Sequence, residues 1–184
     1  MSQGSIKLKK KPTGCRVNPV STEAVRKIAM VFRGLLDLGL ERFDPLRLMD
    51  ELAEYDVEFI ILEDDQFPET DEALCIPEDR CIVFPMRTFT KLANGDGRAL
   101  FTFAHELGHL VLQHRVVLSR GVVEHEFFED SEWQANCFAA EFLMPLEAIR
   151  SKQLLTKQQL IAEYGVSYKA ATKRLSILRE KNEI

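Results

Sequence analysis

The chain has 184 residues, which suits one domain or one domain with a small appendage, and a hydrophobic fraction of 46% supports a sizeable core. Its net charge of −5 disfavours indiscriminate binding of nucleic acid over the whole surface. It contains no run of about 18 apolar residues to span a membrane, and Lys7, Lys9, Lys10 and Lys11 stand where a signal region would be apolar, so a cytoplasmic protein is expected.

Cys15, Cys75, Cys81 and Cys137 show no C-x-x-C spacing and are expected to be reduced thiols, mostly small core residues. Charge is unevenly spread. Residues 41–80 hold 15 acids against 3 bases, whereas residues 151–184 hold 7 bases against 3 acids. The acidic middle suits a basic protein partner, although most of those acids need be no more than a solvated surface.

Residues 1–20, broken by Pro12, Gly14 and Pro19, are expected to form a flexible lead-in. Ser21 or Thr22 can then cap a helix with Val25, Ile28, Ala29, Phe32, Leu35 and Leu36 at helical spacing, closed by Gly39. Asp44-Pro45 starts a second helix, with Pro45 at its first position and Leu46, Met49, Leu52 and Ala53 on its buried face. Val57–Leu62 is a strand, followed by a polar loop. Ala73–Ile76 and Cys81–Phe84 flank Pro77-Glu78-Asp79-Arg80, a hairpin turn. Two helices followed by three short strands predict an α+β fold with a small antiparallel three-stranded sheet packed with helices.

Asn94-Gly95-Asp96-Gly97 leads into a helix of about Arg98–Gln113 that is apolar nearly all round, and such a helix is normally buried. Its middle carries His105-Glu106-Leu107-Gly108-His109. Residues four apart share a helix face, so His105 and His109 can hold one metal ion, with Glu106 beside them to handle the proton of a water. This is the HExxH pattern of zinc-dependent hydrolases. Left unpaired, the three polar groups would cost roughly 1–3 kcal/mol each. Gly108 lowers helix propensity by about 1 kcal/mol relative to Ala, which suggests close approach of another segment.

A catalytic zinc usually takes a third protein ligand. Leu112 and Arg115 exclude the metzincin extension, leaving His114, Glu124, His125, Glu126, Glu129, Glu132 and Glu141. His114 is turned about 140° from His109 on the helix. A further helix begins near Ser131, where Ser131 and Gln134 have capping-box spacing, and ends at Met144-Pro145. On it Glu132, Asn136, Ala139, Ala140 and Leu143 form one stripe, while Glu141 lies about 180° from Glu132. Glu132 is therefore expected to bind the metal, and Asn136 to hydrogen-bond a histidine ligand. The oxyanion-stabilising group stays open among His114, His125, Tyr164 and Tyr168. Two short helices, about 156–164 and 168–181, finish the chain.

The run Phe101-Thr-Phe-Ala-His-Glu-Leu-Gly-His-Leu, with Glu132-Trp-Gln-Ala-Asn-Cys-Phe-Ala-Ala-Glu-Phe-Leu-Met-Pro, resembles the ImmA/IrrE family of metallopeptidases. The resemblance covers about residues 24–180 and implies a zincin-like fold. By it, residues 21–150 form the peptidase domain and residues 151–184 a helix-turn-helix-like segment packed on it. It also implies one zinc ion held by His105, His109 and Glu132, with Glu106 catalytic. The implied partner is a helix-turn-helix (XRE-like) repressor, cleaved or otherwise inactivated; the alternative is a regulator that sequesters the repressor without catalysis. Gln134 stands where the family often has a second Glu. The segment from Gln158 to Arg174 also looks like a DNA-reading helix-turn-helix, but Ile161 replaces the usual small Ala and base-reading side chains are few, so direct DNA binding is not expected.

Overall fold

The computed structural model describes residues 14–114 and 125–184. Among the described residues are eight α-helices and a three-stranded sheet: α1 (Thr22–Leu35), α2 (Pro45–Ala53), β1 (Glu58–Leu62), β2 (Leu74–Ile76), β3 (Cys81–Pro85), α3 (Met86–Ala93), α4 (Gly97–Val111), α5 (Ser131–Leu143), α6 (Leu146–Ser151), α7 (Lys157–Tyr164) and α8 (Tyr168–Glu180). The architecture is the expected zincin-like α+β fold. The short helices α3 and α6 are additions to the elements expected from the sequence.

The expected capping chemistry operates at both early helices. Ser21 accepts from the Ala24 amide at 3.1 Å, and Asp44 accepts from the Leu46 amide at 2.9 Å with Pro45 at the first helical position. Two local details differ. Asp37, with φ 49°, makes the left-handed reversal after α1, and the Leu38 amide returns to the Arg33 carbonyl, so Gly39 follows the stop rather than making it. Leu35 is exposed, because α1 turns only the Val25–Ala29–Arg33 stripe fully inward.

The sheet is mixed, which corrects the antiparallel expectation. Its order is β1-β3-β2. β2 and β3 form the expected antiparallel hairpin, but β1 runs parallel to β3, with Phe59 opposite Ile82 and Ile61 opposite Phe84. The cause is the connection of residues 63–73. It is long enough to cross over the end of β3 and start β2 on the far edge, so β3 returns between its two neighbours in the direction of β1.

Central β3 is buried along its whole length and serves two cores. Ile82 and Phe84 enter the main core, and Phe84 meets Phe103 of α4 at 6.3 Å between ring centroids. Cys81 and Val83 face the other way, onto Phe67, Ile60, Leu62 and Ile76. Helix α5 lies between α1 and α4, where Phe138 and Phe142 stack at 5.4 Å and Phe32 packs against both. Leu160, Tyr164, Ala171, Leu175 and Leu178 bring α7 and α8 into the same main core.

Part of the expected lead-in is fixed. From Gly14 the chain runs along the segment before α5: the Val17 amide donates to the Glu129 carbonyl at 2.7 Å, Val20 to Phe128 at 3.0 Å, and Ser131 to Cys15 at 3.0 Å. Backbone pairing with residues more than a hundred positions away is what the local Pro/Gly pattern could not show. Residues 1–13 lie outside the described residues.

Candidate metal centre

Two helices build the site. Asp96 caps α4 by accepting from the Arg98 and Ala99 amides at 2.9 and 2.8 Å, and the helix then carries His105 and His109 on one face. Asp130, not Ser131, caps α5, accepting from the Trp133 amide at 2.7 Å. The capping-box expectation therefore fails, and Gln134 is free for other contacts. Glu132 projects from the first turn of α5. Gly108 lets the helices close: a Cβ there would sit 3.1 Å from the Ala135 Cα and 3.2 Å from the Phe138 ring.

The two imidazole Nε2 atoms lie 3.0 Å apart, and the Glu132 carboxylate oxygens lie 3.2 Å from each of them. Tetrahedral ligands bound at zinc distances would be about 3.3 Å from one another. The trio fits a small divalent cation and is the one such group of histidine, cysteine and carboxylate donors among the described residues. Three protein donors leave one tetrahedral position for water or substrate.

The electrostatics favour a cation. The close approach of the His105 and His109 imidazoles holds the Glu132 carboxyl well below the usual carboxylate range. Burial opposes charge on His105, but Glu132, Glu106 and the Asn136 side chain outweigh it and raise its pKa. Glu106 is 8% exposed, and burial raises its pKa against the opposing pull of His105, His109 and the Cys75 backbone amide. A half-buried cluster of two carboxylates and two imidazoles is an arrangement that a divalent ion would neutralise.

The other candidate third ligands are engaged elsewhere. Glu141 is buried between Arg174 and Arg26. Glu129 pairs with Arg16 at 2.7 Å, and exposed Glu126 caps the 3-10 turn of residues 127–129. His125 lies 3.0 Å from Asp130. Glu124 is outside the described residues. Asn136 donates to the Glu132 carbonyl at 2.6 Å and interacts with His105 through the same side chain.

One arrangement was not foreseen. Helix α4 ends in a Schellman turn: Gln113 takes φ 52°, its amide returns to Leu110, and the His114 amide returns to the His109 carbonyl. This reversal undoes the 140° offset expected on a continuous helix and lays His114 against His109, Nδ1 to Nδ1 at 3.0 Å. His114 Nε2 meets Gln134 Oε1 at 3.0 Å, and Gln134 Nε2 donates to the Asn18 and Phe128 carbonyls, both at 2.8 Å. Burial pushes the His114 pKa down to about 4, so the ring is neutral near pH 7. The available signal was the residue pair Gln113-His114 just past the last apolar position of the helix, where a C-terminal reversal is expected.

Of the oxyanion candidates, His114 has both ring nitrogens committed and His125 faces Asp130. Tyr164 is buried in the core, and Tyr168 is exposed beneath the Lys157 ammonium. In the C-terminal segment, Gly165 (φ 67°) ends α7 and Ser167 caps α8. Arg174 points inward to Glu141 rather than outward to a ligand. No helix among the described residues is long and apolar enough to cross a membrane.

Comparison with known proteins agrees with this geometry. A Mycobacterium tuberculosis transcriptional regulator of known structure shares the fold, with a TM-score of 0.52 and 20% identity over 85% of this chain and 52% of its own. The present chain thus spans about half the length of that protein. No curated protein matches the chain. Residues 92–176 match the peptidase M78 family model, described as the IrrE N-terminal-like domain. That match takes in both helices of the metal centre, and over those residues the chain is similar to the IrrE N-terminal-like domain of the peptidase M78 family.

Proposed function

We propose that the protein is a cytoplasmic zinc metalloendopeptidase that cleaves, and so inactivates, a helix-turn-helix (XRE-like) transcriptional repressor. The observation that carries the reading is Glu106. A purely structural metal site has no use for a buried carboxylate of raised pKa beside its ligands, whereas peptide hydrolysis needs a proton carrier there.

In this reading His105, His109 and Glu132 hold the zinc, and Asn136 steadies His105. When bound, zinc supplies Lewis acidity, polarising a carbonyl and acidifying a water molecule to a pKa of about 7. Glu106 would take up a proton from the attacking water and pass it to the departing amine. The Cys75 amide holds the Glu106 carboxylate in place. Because Cys75 lies on β2, an edge strand, an extended substrate segment added to that edge would run beside Glu106. An added strand must be extended or locally unfolded, which suits a repressor cut at a linker.

The match to the M78 family and the fold shared with a transcriptional regulator support a regulatory target. The acidic stretch of residues 41–80 offers a surface for a basic, DNA-binding partner. The inward turn of Arg174 is consistent with a C-terminal segment that does not bind DNA itself.

The test is incubation of the zinc-loaded protein with the repressor encoded beside it, with and without chelator. Chelator-sensitive fragments are the expected result. Loss of repressor–DNA binding with the repressor intact would replace cleavage by sequestration.

A further inference from the structure

We infer that His114 and Gln134 act as positioning residues that lock the proton of His109 on Nδ1, so that its Nε2 presents a lone pair to the metal. The inference rests on the metal-centre reading above and adds two residues to it.

Gln134 spends both amide hydrogens on the carbonyls of Asn18 and Phe128. Its Oε1 can therefore only accept, and it lies 3.0 Å from His114 Nε2. His114 Nε2 must carry the hydrogen, and in a neutral imidazole the other nitrogen then accepts. That nitrogen, Nδ1, is 3.0 Å from His109 Nδ1, which must donate. His109 Nε2 is left as a bare lone pair, facing Glu132 and His105.

Reversing the chain fails at a defined point. A flipped Gln134 amide would aim its oxygen at two carbonyl oxygens, and Gln134 is only 1% exposed, so water cannot relieve the repulsion. The anchor carbonyls come from opposite ends of the sequence. Asn18 belongs to the extended segment that precedes α1, and Phe128 to the turn that precedes α5. Docking of residues 14–20 thereby sets the tautomer of a ligand on α4. Groups that orient a metal-bound histidine typically change metal affinity by about 10- to 100-fold.

The test needs no variant to begin. In protein labelled with 15N-histidine, two-bond 1H–15N spectra of the metal-free and zinc-loaded chain should show His114 protonated on Nε2 and His109 protonated on Nδ1. Zinc affinity, measured by competition with a chromophoric chelator, should fall about 10- to 100-fold in His114→Leu. His114→Asn keeps an acceptor near the Nδ1 position and should recover much of that loss, while circular dichroism confirms that both variants are folded. Zinc bound with His109 protonated on Nε2, or undiminished affinity in folded His114→Leu, or equal losses in the two variants, would overturn this inference alone. No zinc binding by the wild-type chain would overturn the metal-centre reading and the inference with it.

Discussion

The Arg174 guanidinium clasps the Glu141 carboxylate through two hydrogen bonds of 2.7 and 2.6 Å, with both side chains almost fully buried. Arg26 of α1 reaches the same carboxylate at 3.1 Å. The contact ties α8 and α1 to α5, the helix that supplies Glu132. It also explains why Glu141, one helix face away from Glu132, serves the fold rather than the metal.

Removing Arg174 leaves the buried Glu141 charge with only the longer contacts to the partly exposed Arg26. Arg174→Met should destabilise the protein by roughly 3–5 kcal/mol, read as a lower urea midpoint. The exposed pair Arg47–Glu51 provides the contrast: Arg47→Ala should change stability by less than about 1 kcal/mol.

The same carboxylate gives an acid limb to the stability curve. Burial works against its ionisation, but Arg174 and Arg26 prevail and hold the Glu141 pKa below its ordinary value. A depressed folded-state pKa stabilises above the unfolded value, about 4.3, and that contribution is lost as pH falls through the folded value. Denaturation series should therefore show stability falling as pH drops from about 5 to 3. Glu141→Gln should be less stable at neutral pH and show a shallower fall over that range; an unchanged slope would reject Glu141 as a source of the limb.

Gly97 opens the metal helix against the turn between α7 and α8. A Cβ there would lie 2.5 Å from the Ser167 nitrogen and 2.6 Å from the Gly165 oxygen, both backbone atoms. Gly97→Ala should cost about 1–3 kcal/mol by overpacking. Gly34, on α1 with open space around it, should gain about 0.4–1 kcal/mol on the same change. Thermal melts of the two variants should move in opposite directions.

Metal content should follow the donor trio. His105→Ala, His109→Ala and Glu132→Ala should each lose the single zinc on dialysis, whereas Glu141→Gln should keep it, as read by elemental analysis. Zinc retained by Glu132→Ala would move the third ligand to another residue.

Much of this was legible in the sequence because the signals are local. The HELGH run on an apolar helix, the Glu132–Asn136 stripe and the Asp44-Pro45 helix start each lie within a few residues and reappear in the structure. What the sequence hid depends on distant partners. The direction of β1 follows from where the connection of residues 63–73 crosses, which alternation within a strand does not encode. Gln134 has the spacing of a capping residue, yet it turns to His114, twenty positions earlier and delivered by a backbone reversal at Gln113. Residues 14–20 lack periodicity and are held by backbone pairing and by the side chains of Glu129, Asp130, Ser131 and Gln134.

The central claim is tested most directly by the intact mass of the repressor after incubation with zinc-loaded wild-type protein and with zinc-loaded Glu106→Gln. The account predicts two complementary fragments with the wild type and uncut repressor with the variant, although the variant holds its zinc. Equal cleavage by both proteins, or uncut repressor with both, would contradict it.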